Sequence, residues 1–232
     1  MTAKRLALFD LDHTLLPLDS DYQWADFLAR TGRAGDPDVA RARNEDLMLR
    51  YNAGDLTAQE AAEFMLGLLA AHCPMDLASW HEEFMQDVIR PAMTHQAMNL
   101  VRGHLSAGDR CAIVTATNTF VTAPIARAFG VPTLIATDPE FVNGRYTGRI
   151  DGTPSFREGK IKRVNAWLEA LGQTLSDYEH VYFYSDSIND LPLLEQVTHP
   201  VATNPSERLR QIALERKWTV LDLFALTADQ KS

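Results

Sequence analysis

Ala7-Leu8-Phe9-Asp10-Leu11-Asp12-His13-Thr14 is the stretch that decides the fold. From Leu6 to Phe9 every side chain is apolar, the pattern of a strand buried on both faces of a parallel sheet. Open α/β sheets take their ligands beyond the carboxyl ends of their strands, so Asp10 is expected on the ligand side. Asp12 follows two residues later. Two crowded carboxylates repel each other unless a cation lies between them. A divalent metal is therefore expected, and an all-oxygen donor set suits magnesium.

The rest of the chain supplies the layers such a strand needs. From about Ser20 to Arg90 helical spacing runs almost without a break, and no comparable apolar strand occurs. Tyr22, Trp24, Phe27 and Leu28 mark a first helix, Gly32 and Gly35 end it, and Asp38 to Tyr51 reads as a second. Thr57 precedes Glu60 by three residues, a capping box opening a third helix through Leu69, and Pro74 precedes a fourth from about Asp76 to Arg90. Beyond Pro91 strands and helices alternate. A helix from Pro91 to Leu105 leads to expected strands at Cys111 to Thr115, Thr133 to Ala136, His180 to Tyr184 and Pro200 to Ala202. Helices are expected near Ala123 to Phe129, Gly159 to Leu171 and Pro205 to Arg216, while Asn143-Gly144 between strand formers predicts a hairpin. The expected fold class is α/β: a Rossmann-like parallel sheet with helices on both faces, built from residues 1–16 and 91–232, with a helical-bundle cap inserted at 17–90.

Composition narrows the function classes. With 232 residues the chain is long enough for a full core and a smaller insertion. Its net charge of −9, without a basic stripe, argues against nucleic acid as a partner. The two cysteines, Cys73 and Cys111, lack zinc or disulfide-framework spacing, and Cys111 reads as an inert buried thiol. No signal-peptide core follows Met1, and no run of about 18 apolar residues is present, so a soluble cytoplasmic protein without a membrane partner is expected. Met65, Met75, Met85, Met98, Trp80 and Trp167 are read as core packing.

Three further stations follow the opening pair: Thr115 at a strand end, Lys160 after Gly159 at a helix start, and Asp186 with Asp190 after the strand Val181 to Phe183. A cation at a helix start is unfavourable unless an anion lies nearby, which itself points to a site. In this order the stations resemble the haloacid dehalogenase-like hydrolases, and the position of the insertion resembles their phosphoserine-phosphatase-like subfamily. The resemblance implies an aspartyl-phosphate enzyme that hydrolyses small-molecule phosphate monoesters. Asp10 would be the nucleophile and Asp12 the acid and base. Thr115 and Ala116, with Lys160, would bind phosphate, and Asp10, Asp12 through its carbonyl, and Asp186 would bind Mg2+. Asp190 and Asn189 would support these groups from behind. Ser185 replaces the glycine usual before Asp186, and His13 adjoins both carboxylates in a slot that varies in the family, which leaves a catalytic role for it open.

The substrate reading remains divided. Asp19, nine residues after Asp10, matches the acid that meets the amine in phosphoserine phosphatases. Glu63 falls near the position of their carboxylate-binding arginine, where a second carboxylate would be repulsive. Phosphoserine is thus disfavoured unless Arg41, Arg43 or Arg50 reaches in. Asp19, Asp21, Tyr22 and Glu63, with Trp24, would suit a cationic or aromatic amine, and histidinol phosphate has those features. Two other classes fit less well. A phospho-receiver signalling module lacks the helical insertion and is about 120 residues long, and a catalytically silent phosphate-binding protein would have no reason to carry every reacting group.

Overall fold

The structure, a computed structural model, describes residues 4–53 and 57–224; residues 1–3, 54–56 and 225–232 of the expected segments lie outside them. Strand β1 (Arg5–Phe9) occupies the middle of a seven-stranded sheet ordered β4-β3-β2-β1-β5-β6-β7. It pairs in parallel with β2 (Arg110–Asn118) and β5 (His180–Ser185), setting Phe9 opposite Ile113 and Tyr184. Because β1 has neighbours on both edges and helices on both faces, an unbroken apolar run is what the position demands. Ala7 and Phe9 enter one core and Leu6 and Leu8 the other, all fully buried. Each such leucine or phenylalanine contributes about 1.5–3 kcal/mol.

The connections on the two sides of β1 differ. Between β1 and β2 lie helices α1 (Ser20–Arg30), α2 (Pro37–Ala53), α3 (Ala58–Ala70), α4 (Pro74–Phe84), α5 (Arg90–Ala92) and α6 (His95–Ser106). The expected capping box is present, with Thr57 accepting from the Glu60 N–H and the Glu60 carboxylate accepting in return from Thr57. Beyond β2 come α7 (Thr119–Phe129), the antiparallel hairpin β3 (Thr133–Val142) and β4 (Arg145–Asp151), and α8 (Glu158–Ala170). After β5, the short α9 (Leu191–Leu194), β6 (His199–Thr203), α10 (Glu207–Glu215) and β7 (Thr219–Leu221) complete the sheet. The hairpin packs against α3: at Gly148, whose φ is +82°, an added Cβ would lie 3.5 Å from Ala70 Cβ.

Several expected limits shift for identifiable reasons. No helix begins at Pro91; Arg90–Ala92 continue the preceding helix through a wide turn in which the Arg90 N–H reaches Met85 O. Helix α6 starts only at His95, because Thr94 is extended and its hydroxyl accepts from Ala97 N–H. Strand β2 runs three residues past Thr115, β3 continues directly into the hairpin, and β7 lies outside the expected set. Met75 is 78% exposed rather than core.

Helices α1 and α4 meet β2 and α7 around an aromatic cluster. Trp24, fully buried, stacks on Phe27 and His81 and meets Phe84 and Phe120 edge-on. The Nε2–H of His81 donates to the Val121 carbonyl at 2.9 Å. Burial holds this imidazole below its ordinary pKa of 6.5. The neutral ring therefore favours the native state at and above the unfolded value, and the contribution disappears as pH falls through the lower native value. Accordingly, urea midpoints between pH 7 and 5 should fall more steeply for the wild type than for His81→Gln, whose amide can make the same bond without titrating. Parallel pH curves would contradict this assignment.

Candidate active site

Asp10 extends the β1 ladder by one residue, its backbone N–H donating to Tyr184 O at 2.9 Å. Its carboxylate thus projects from the carboxyl end of the central strand. Lys160 Nζ donates to Asp10 Oδ1 at 2.7 Å and to Asp190 Oδ2 at 2.8 Å, with all three residues buried. Ser185, in the place of the usual glycine, donates its hydroxyl to the same Asp190 oxygen at 2.7 Å. Thr14 Oγ1 lies 3.2 Å from Asp10 Oδ2 and 3.3 Å from Asp186 Oδ1, and it accepts from Asp186 N–H at 3.0 Å. One hydroxyl therefore holds the carboxylates of Asp10 and Asp186 beside each other.

Local backbone choices place these groups. Lys160 lies in the first turn of α8, and the chain enters that turn through Arg157 at φ +48°. Gly159 is required there, because a Cβ would lie 2.0 Å from the Pro154 carbonyl oxygen. Arg157 Nε donates to Asn189 Oδ1 at 3.2 Å, joining the start of α8 to the loop that carries Asp190. On the other side of the site, His13 takes φ +57°, and Asn204 Nδ2 donates to the carbonyls of His13 and Thr14.

A cavity of about 550 Å³ opens over these residues. It is lined by Asp10, Asp12, Asp19, Asp21, Asp186 and Asp190, against which Lys160 is the only lysine or arginine among the described residues. The acids respond to this crowding. Burial, then the charges of Asp10 and Asp190, push Asp186 up to about 8; burial also raises Asp190 to about 6, against the pull of Lys160. Asp12 is raised to about 6 by burial and by Asp19. For Lys160, burial opposes the charge, but Asp10 and Asp190 outweigh it and raise its pKa.

Asp12 accepts from Ser20 N–H and from the Thr117 hydroxyl, both at 2.8 Å. Thr115 and Ala116 line the cavity; Thr115 Oγ1 accepts from Thr117 N–H at 3.2 Å, and Ala116 O accepts from Thr137 at 2.8 Å. Asp19 caps α1 by accepting from Tyr22 N–H, and Asp21 accepts from Asn118 Nδ2 at 2.9 Å. His13 and Asn189 also line the cavity.

Two expected specificity residues are not part of this lining. Tyr22 does not border the cavity, and Glu63 is exposed, accepting from Gln59 on its own helix at 3.0 Å. Trp24 is sealed inside the aromatic cluster. The helical wall consists instead of Leu47, Gln59, Ala61, Ala62 and Met65, so Met65 borders the site rather than only packing the core. Arg43 lies over the Phe64 ring and Arg41 faces Asp26. Cys111 is buried, with its thiol pushed up to about 12 by burial and by Asp109. From the sequence Thr117 and Asn118 are only polar members of the loop after Thr115, and Arg157 carries no site signal; the structure joins them to Asp12, Asp21 and Asn189.

A sequence profile of the haloacid dehalogenase-like hydrolases matches residues 7–195. The chain belongs to this family. This hydrolase is 43% identical over 220 residues to a histidinol-phosphatase of Neisseria meningitidis serogroup C, covering 94% of this chain and 99% of the relative. A crystal structure of a protein of unknown function from Bordetella pertussis Tohama I is 74% identical and superposes with a TM-score of 0.95, covering 96% of this chain and all of that one. A substrate-bound phosphoserine phosphatase shares the fold at 16% identity and a TM-score of 0.66, covering 96% and 94% of the two chains. Membership of this family makes the chain a hydrolase, which is consistent with a phosphoric monoester hydrolase. Among the described residues no helix is long and apolar enough to cross a membrane.

The Gly159 contact sets a prediction. Gly159→Ala should leave the sheet folded but displace Lys160, lowering kcat/KM by about 100-fold, since a shift near 1 Å can cost that much. Near wild-type turnover with the alanine would contradict this account of how the lysine is placed.

Proposed function

We propose that this hydrolase is a magnesium-dependent phosphatase that cleaves L-histidinol phosphate through an aspartyl-phosphate on Asp10. The observation that carries the chemistry is the Asp10 carboxylate at the end of the central strand, aimed into the cavity and held by the Lys160 ammonium. Asp10 would attack phosphorus, forming a new O–P bond as the ester P–O bond breaks, while Asp12 gives its proton to the departing alkoxide. Asp12, now a carboxylate, would take a proton from water as the water oxygen attacks phosphorus. As that O–P bond forms, the Asp10–phosphate bond breaks, releasing inorganic phosphate and regenerating the Asp10 carboxylate and protonated Asp12. The Lys160 ammonium would balance charge on the phosphoryl oxygens, with the Thr115 hydroxyl and the loop at Ala116 as further contacts.

The residues present fit a hard divalent cation. Thr14 brings the Asp10 and Asp186 carboxylates together, and Asp186 is disfavoured as an anion until a positive charge arrives. Those two carboxylates and the Asp12 carbonyl would hold it. An ion that keeps several waters needs no more than these few protein oxygens. Bound there, magnesium would supply positive charge to the phosphoryl oxygens.

The cavity lining supports the substrate. Asp19 and Asp21 are both raised by burial, and Asp21 well above its ordinary value. A cationic group beside them would restore their charge, whereas the carboxylate of phosphoserine would meet further acid and no arginine. Leu47, Ala61, Ala62 and Met65 give an apolar wall for a ring. The 43% identity to a histidinol-phosphatase of Neisseria meningitidis agrees with this chemistry. Residues 17–90 would act as the cap that covers the substrate and excludes water. The free cysteines Cys73 and Cys111 support a reducing, cytoplasmic setting, and the charge of −9 supports small molecules rather than nucleic acid as partners.

Phosphate release tests this reading. With Mg2+ present, kcat/KM for L-histidinol phosphate should exceed that for L-phosphoserine by at least about tenfold, the scale of one charged hydrogen bond. EDTA should remove the activity and Mg2+ restore it. Asp19→Asn keeps a good helix cap and should shrink the preference by about tenfold. A preference for phosphoserine would contradict the substrate assignment.

A further inference from the structure

We propose that Thr117 is a positioning residue for Asp12, fixing the plane of the carboxyl group that passes its proton first to the leaving oxygen and then receives one from water. The proposal rests on the acid and base role given to Asp12 above.

An aspartate carboxyl turns about Cβ–Cγ in a broad, roughly twofold torsion, so the backbone alone does not orient it. Here the two oxygens are held from opposite sides of the site. Oδ1 accepts from the N–H of Ser20, the first residue of α1, and Oδ2 accepts from the hydroxyl of Thr117, near the end of β2. Two donors on different oxygens fix the plane, and one lone pair on each oxygen stays available for a proton. The bond from Ser20 is a backbone one, and the bond to the other oxygen comes from the Thr117 side chain.

Thr117 is itself held in place. It is 6% exposed, and its N–H donates to Thr115 Oγ1 at 3.2 Å, so the phosphate-side hydroxyl and the orienting hydroxyl are joined through one turn of backbone. The strand register shifts between Val114 and Asn118, as expected where a strand end bends to redirect side chains. Threonine is β-branched and stiff about χ1, so few other positions are open to its hydroxyl. The next residue, Asn118, reaches Asp21 in the same way, which keeps the first turn of α1 beside the end of β2.

Leaving groups of different acidity separate positioning from mere structural support. An alkoxide needs the proton from Asp12 to depart, whereas p-nitrophenolate does not. Because kcat/KM reports steps only up to release of the alcohol, Thr117→Val should lower kcat/KM for L-histidinol phosphate by about 10- to 100-fold, part of the usual general-acid contribution. For p-nitrophenyl phosphate kcat/KM should change by less than about threefold. Its kcat and KM should fall together, because water attack on the phosphoenzyme is also slowed. Thr117→Ser should restore most of the alkyl activity, and Thr117→Ala replaces the valine variant if that does not fold. Equal losses with both substrates, or no loss with either, would overturn the proposal. Asp12→Asn is measured alongside. If it shows no dependence on the leaving group, the acid role of Asp12 fails; if it does and Thr117→Val does not, the positioning role alone fails.

Discussion

One buried ammonium governs this active site. Lys160 sits between Asp10 and Asp190 with almost no exposure, and removing one partner of such a pair typically costs about 3–5 kcal/mol because the other charge is left uncompensated. The three residues come from the central strand, the start of α8 and the turn after β5. The ion pair therefore joins three segments distant in sequence, and the rest of the site is arranged around it. Crowding of acids would otherwise be unfavourable: six aspartates border one cavity, and the chain tolerates them because a lysine and a cation can offset their repulsion.

The sheet makes that arrangement possible. The chain leaves β1 for β2 and β3 on one edge and returns, after β4 and α8, to β5 on the other, and such a switch point opens a crevice at the strand ends. Asp10 and Asp186 reach that crevice because each directly follows one of these strands, and Thr115 lies where the register of β2 shifts near its end. Close approach of the backbone completes it: Gly159 lets the start of α8 lie against Pro154, bringing Lys160 to the crevice. The helices between β1 and β2 then close the cavity with an apolar wall, and Asp19 and Asp21 enter it from the first turn of α1.

Most of this frame was legible in the sequence, because its signals are strong and local. A fully apolar β1 ending in Asp10, the Thr57 capping box and the Asn143-Gly144 hairpin each have a direct physical reading, and the structure contains all three. Weaker signals misled. The three residues of β7 are too few for a periodic pattern, and Thr94 lay hidden behind a proline that seemed to begin a helix. Glu63 is placed by alignment from Gly54-Asp55-Leu56 and Tyr22 by its aromatic character beside Asp21, but neither borders the cavity and Glu63 is exposed. Thr117 and Asn118 look like ordinary polar loop residues until tertiary contacts bring Asp12 and Asp21 to them. Long-range hydrogen bonds of this kind have no sequence period, which is why reading along the chain passes over them.

The central claim is that Asp10 becomes transiently bonded to phosphorus. Acid quenching during turnover of 32P-labelled substrate, followed by peptide mapping, tests it most directly. The account predicts label on the peptide containing Asp10, removed by hydroxylamine as expected of an acyl phosphate and absent from Asp10→Asn. Label on His13 or on any other side chain would contradict it.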